Sequence, residues 1–127
     1  MSEPILQIMT MEIKDGRLDD FKESVKKSVT FVRENGPQLL VEVYIDEEHL
    51  RAHSFQIQPD SESIISHWQM TDPYIREVNK HMTPMRLDIY GQPNKIVMKS
   101  LQQFEKEGVI VTVTPHFYGF HRLLSID

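Results

Sequence analysis

The sequence predicts an α+β fold: one antiparallel sheet of four strands with two helices on one face. Three observations predict it. Segments such as Gln38–Asp46 alternate with period two, as strands do. Two stretches space apolar residues three and four apart, as amphipathic helices do. Between Ile5 and Tyr90 the segments run strand, helix, strand, strand, helix, strand, the order of the ferredoxin-like split βαβ arrangement. A further helix and strand follow as a C-terminal extension. At 127 residues the chain can bury a sizeable core. No repeat or low-complexity segment divides it. Residues 1–127 therefore read as one domain, with a core over about 4–91 and an extension over about 92–127.

Each element has its own justification. In Ile5–Ile13, Ile5, Met9, Met11 and Ile13 share one face, with Gln7 among them. Leu6, Ile8 and Thr10 begin the other. Apolar groups on both faces point to cover on both sides, whereas a small lone antiparallel sheet usually keeps one face wet. Asp15-Gly16 is a turn. Arg17–Asn35 follows as a helix, with Leu18, Phe21, Val25, Val29 and Val32 on one stripe and charged residues outside. Gly36 is placed to end it in a left-handed conformation, and Pro37 prevents continuation. Gln38–Asp46 and Leu50–Gln58 form a hairpin. Arg51, His53, Phe55 and Ile57 share one face of the second strand, and His53 is expected to point inward with Phe55 and Ile57.

Pro59–Ser63 opens the central helix, whose core residues by spacing are Ile64, Ile65 and Trp68. A break is expected at Thr71-Asp72-Pro73, with Asp72 as a new cap and Pro73 at the first helical position. Tyr74–His81 resumes the helix, with Ile75, Val78 and Met82 inward, and Pro84 closes it. Arg86–Tyr90 is the fourth strand. Asn94 caps a helix over Lys95–Lys106, Gly108 ends it, and the β-branched run Val109–Thr114 is a strand. Pro115–Leu124 is aromatic-rich and irregular, and His116 and His121 within it read as structural.

Composition excludes several functions. A net charge of −5 argues against a nucleic-acid backbone as the main partner. The chain has no cysteine, which removes disulfides, thiolate metal sites and cysteine nucleophiles, and fits a reducing compartment. Met1-Ser2-Glu3-Pro4 lacks the basic start of a leader, and no apolar run approaches the ~20 residues of a membrane span. The expected location is cytoplasmic. No HExxH pair or glycine-rich phosphate loop is present. His49 and His53 stand four apart, but across a turn.

Chemistry-bearing residues gather around the only tryptophan. His67 adjoins Trp68 and so faces about 100° away from it on a helix. His53 sits in line with Phe55. A neutral imidazole in an apolar cavity can accept a phenol proton. Tyr74 and Tyr44 are amphipathic and suit either a pocket wall or a structural hydrogen bond.

Two local patterns carry a family resemblance. One is the strand, Asp-Gly turn and long helix from Met9 to Val32. The other is a third strand leading into Ser66-His67-Trp68 and then Thr71-Asp72-Pro73-Tyr74. Over roughly residues 5–90 the chain resembles the antibiotic biosynthesis monooxygenase family. The resemblance implies a homodimer whose two sheets face each other in an α+β barrel. That would explain a first strand apolar on both faces, and the extension could reach over the partner. It also implies a monooxygenase that oxidises a quinol or polyphenol with O₂ and no cofactor. His67 or His53 would accept the proton, and Trp68, Phe55, Tyr74 and Tyr44 would bind the small aromatic substrate. A non-catalytic dimer that binds a small ligand or serves as an assembly piece is the alternative. Some members degrade haem, using a histidine ten residues after the helix tryptophan and an asparagine in the first strand. The matching positions here are Val78 and Thr10, with His81 nearby but out of register.

Overall fold

A computed structural model describes residues 4–123. The readings made for Met1, Ser2 and Glu3, and for Leu124, lie outside this range. Strand β1 (Ile5–Ile13) is followed by helix α1 (Leu18–Asn35), strands β2 (Leu40–Asp46) and β3 (Arg51–Gln58), and helix α2 (Ser61–Asn79). Strand β4 (Met82–Tyr90), helix α3 (Lys95–Lys106) and strand β5 (Ile110–Thr114) complete the order. The sheet runs β2-β3-β1-β4-β5. The first four strands pair antiparallel in the ferredoxin-like manner, and β5 joins β4 in parallel through α3.

Register decides which face each residue takes. Met9 lies opposite Ser54 on one side and Leu87 on the other, so these three share the face that carries the helices. Thr10 lies opposite His53 and Arg86, which share the other face. On the helix side, Ile5, Ile64, Leu87, Ile89, Val97 and Leu101 form one buried cluster. Met11, Ile13, Phe21, Ala52, Val78 and Met82 form a second, and Met9 packs against both.

Four expectations change. The central helix has no break: α2 runs through Pro73 to Asn79. A proline there removes only its own N–H bond to the carbonyl four residues back, and burial of Ile64, His67, Thr71 and Val78 along one side holds the helix together. Its cap is Asp60, whose carboxylate accepts the Ser63 N–H at 2.8 Å, while Asp72 instead pairs with Arg76 at 2.8 Å. Gly36 is extended (φ −91°, ψ 163°) rather than left-handed. Pro84 does not close a helix; it lies within β4, beside a register shift at Thr10/Met11, where the missing donor is tolerated. The extension packs on its own sheet: Val97 and Leu101 of α3 are buried there, and β5 pairs β4 of the same chain.

Candidate active site

Between the sheet and the helices lies a cavity of about 230 Å³. That is below the ~300–1,000 Å³ of drug-sized sites and suits a ligand of one or two rings. Methionine and aliphatic side chains make much of the wall. Polar groups enter from the sheet (Gln7, Ser54 and Gln56), from the segment before β2 (Gln38), from the helices (Ser28, His67 and Asn79) and from the end of α3 (Glu107). Trp68 and Phe104 add an aromatic edge, their ring centroids 6.2 Å apart.

His67 is the titratable group with the largest perturbation at this site. It is only 4% exposed. Burial lowers its pKa from 6.5 to about 4, so the imidazole is neutral at pH 7. Its Nδ1 lies 2.5 Å from the side-chain amide of Gln38. Its backbone carbonyl accepts the Thr71 hydroxyl at 2.6 Å, which ties the ring's turn of helix to the buried Thr71. Nε2 has no protein partner among the described residues.

The structure brings together two of the six residues expected to form a site. His67 and Trp68 both line the cavity. His53, Phe55 and Tyr44 lie on the opposite face of the sheet, where Tyr44 and Phe55 stack edge to face at 5.5 Å and His53 meets the Thr10 hydroxyl at 3.4 Å. Tyr74 stacks on Phe31 of α1 at 4.6 Å, outside the cavity lining. Apolar character alone made the His53–Phe55–Ile57 face look inward. Pairing with β1 turns Ala52, Ser54, Gln56 and Gln58 toward the helices instead.

Sequence reasoning missed the glutamines. None of Gln7, Gln38, Gln56 and Gln58 was singled out as a site residue, yet Gln7 and Gln58 are buried. A signal existed: Gln7 alternates in phase with Ile5, Met9 and Met11. Gln38 carried none, because it precedes its strand.

No protein-family model and no curated protein matches the sequence. Solved structures do. MupZ from Pseudomonas fluorescens superposes with a TM-score of 0.76 at 13% identity, covering 95% of this chain and 96% of that one. A candidate antibiotic biosynthesis monooxygenase from Caulobacter crescentus gives 0.63 at 12% identity, over 69% and 88% of the two chains. SnoaB, a cofactor-independent oxygenase from Streptomyces nogalater, gives 0.62 at 6% identity, over 75% and 98%. The fold is that of the antibiotic biosynthesis monooxygenases. Identities this low carry the fold and no residue roles.

Within this antibiotic biosynthesis monooxygenase fold, the residues do not fit a haem. Val78, at the position that would supply the ligand histidine, is an apolar part of the cavity wall. Thr10 belongs to the sheet's other face. His81 is buried outside the cavity lining, with Arg17 Nη1 3.3 Å from its Nδ1. Among the described residues, no group of three histidines and carboxylates could hold a metal ion, and no helix is long and apolar enough to cross a membrane.

Proposed function

We propose that the protein is a cofactor-independent monooxygenase that oxidises a small quinol or polyphenol with O₂ in the cavity between sheet and helices. The observation that carries this reading is a buried, neutral His67 beside Trp68 on the wall of a mostly apolar cavity. His67 takes the phenolic proton. The phenolate is electron-rich and reduces O₂ directly. At an activated CH₂ group, one oxygen atom becomes the carbonyl and the other leaves as water with the two hydrogens, a balanced four-electron oxidation. Burial makes the imidazole a weak base by itself. The phenolate forming next to it offsets this, because opposite charges in a dry site stabilise one another. Gln7, Gln38 and Gln56 supply amides for the substrate's oxygens, and Trp68 supplies a flat wall.

The sheet's other face is assigned to a second copy. Leu6, Leu40, Tyr44, Phe55 and Ile57 line an apolar groove there, and Tyr44 is 58% exposed. Two such faces would close into a barrel, with His53 at the seam. One domain, an aromatic small-molecule substrate, no nucleic-acid partner and a reducing, cytoplasmic setting complete the reading; the acidic balance and the lack of cysteine support the last two.

The test is oxygen uptake by metal-free protein on naphthohydroquinones and on one- and two-ring phenols that carry an activated CH₂ group, with boiled protein as control and ¹⁸O₂ to trace the product. Uptake with label in the product is expected. A ligand that quenches Trp68 without being consumed would replace the enzyme with a binding module.

A further inference from the structure

The cavity is long, and its two ends differ. Its floor spans three cross-strand rows on the helix-bearing face. Val41, Gln56 and Gln7 make the first row, and Val43, Ser54, Met9 and Leu87 the second. Met11 and Pro84 belong to the third. From Gln7 to Met11 the floor runs about 13 Å along β1. The roof follows the same direction. His67 stands over the first row: its Nδ1 lies 2.5 Å from Gln38 Nε2, which lies 3.5 Å from Gln56 Oε1. Val78 packs with Met11 and Met82 at the other end. Between His67 and Val78, α2 rises about 16 Å.

The chemistry of the wall changes along this length. The glutamine amides, the Ser54 hydroxyl and the His67 imidazole belong to the first two rows. The two aromatic rings of the lining, Trp68 and Phe104, are at that end as well, packed against the cluster that holds Leu87 and Ile89. The other end is made by Met11, Val25, Ile75, Val78, Met82 and Pro84, with no aromatic ring among them. Its nearest polar side chains are Ser28, which is half-buried, and Asn79, which is exposed. A second flat ring laid there would find no aromatic partner. Thioether and branched aliphatic side chains adapt instead to a flexible chain. The volume that holds two rings also holds one ring and a chain.

We propose that the substrate class of this cavity is a one-ring quinol or phenol that bears an aliphatic chain, its ring held between His67, Trp68 and the glutamines and its chain laid along Met11, Val25, Ile75 and Val78. The placing of the ring rests on the reading of His67 as proton acceptor. The seat of the chain rests on the wall alone.

Binding can be read apart from turnover. Alkylhydroquinones from methyl to octyl are titrated into the full chain without oxygen, below their aggregation concentrations, and followed by quenching of the single tryptophan. Kd should fall roughly three- to fourfold for each added CH₂ group until the chain reaches the exposed end of the cavity. Ile75→Phe, which fills the far end, should remove most of this gain. A second measurement needs no variant at that end: in protein carrying ¹³C-methyl methionine, the octyl member should shift the Met11 and Met82 signals, each assigned by its loss in a Met→Leu variant, and methylhydroquinone should leave them in place. A Kd that stays within about twofold from methyl to octyl overturns the proposal. So does a gain fully kept in Ile75→Phe, or Met11 and Met82 signals unmoved by the octyl member, since the chain would then lie elsewhere. A chain-length gain with no oxygen uptake by any member would keep the seat and lose the reaction, and uptake without the gain would do the reverse, so the two failures are distinct.

Discussion

His67 couples protonation to folding. Its pKa falls from 6.5 in an unfolded chain to about 4 in the fold, through burial. Above pH 6.5 both states are neutral and the full stability is present. As the pH drops from 6.5 toward 4 the unfolded chain takes the proton first, so stability is lost across that window and levels off below it. The loss should be on the order of 3 kcal/mol at ~1.4 kcal/mol per unit. Urea midpoints of wild type and His67→Gln at pH 7 and pH 4.5 check this: the wild type should fall more, and parallel curves would contradict it. Phe21 tests the packing. It is fully buried, so Phe21→Ala should cost about 3–5 kcal/mol in urea unfolding. At this scale the sequence was legible where a side chain's nature decides its place. Phe21 on its apolar stripe and Trp68 beside His67 are examples. It was illegible where a partner strand decides. His53 and Ser54 are neighbours, and nothing local says which faces the helices; pairing of Ser54 with Met9 does.

Helix α2 holds the site together, because it carries His67, Trp68 and the Thr71 hydroxyl on consecutive turns. The expected break at Asp72-Pro73 would have freed the second half. Proline signals a helix start only when the turn before it has nothing to gain from staying helical. Here the preceding turn buries Ile64 and His67, and the following one buries Val78, so the helix continues at the loss of one hydrogen bond. Pro73→Ala should therefore stabilise the protein by about 1 kcal/mol or more, the penalty for interior proline being partly offset by greater freedom in the unfolded chain. Thermal and urea unfolding measure it; a destabilised Pro73→Ala would mean that Pro73 contributes packing not evident from its exposed position. Caps were easier to read. Asn94 accepts the Val97 N–H at 3.0 Å, and α3 spans Lys95–Lys106 as its pattern predicts.

At the scale of the molecule, the two faces of the sheet divide the work. The helix side holds the cavity, and the far side carries the groove around Phe55 and Tyr44. Element order made the four-stranded core legible. The fate of the extension was not, because a strand such as Val109–Thr114 pairs equally well with its own sheet or with another copy's until tertiary contacts choose. If the groove seats a second copy, Phe55→Asp should convert a dimer into a monomer in sedimentation analysis while leaving far-UV circular dichroism unchanged; a Phe55→Asp dimer as tight as the wild type would contradict that seat. In the proposed reaction, proton transfer occurs on the helix side, at His67, and not at His53. The most direct measurement is the rate of quinol-dependent oxygen uptake by His67→Ala and His53→Ala, side by side with wild type. We expect His67→Ala to lose roughly 10²-fold or more, the scale of a lost general base, and His53→Ala to stay within about twofold. The reverse order, or undiminished uptake by His67→Ala, would rule out His67 as the proton acceptor.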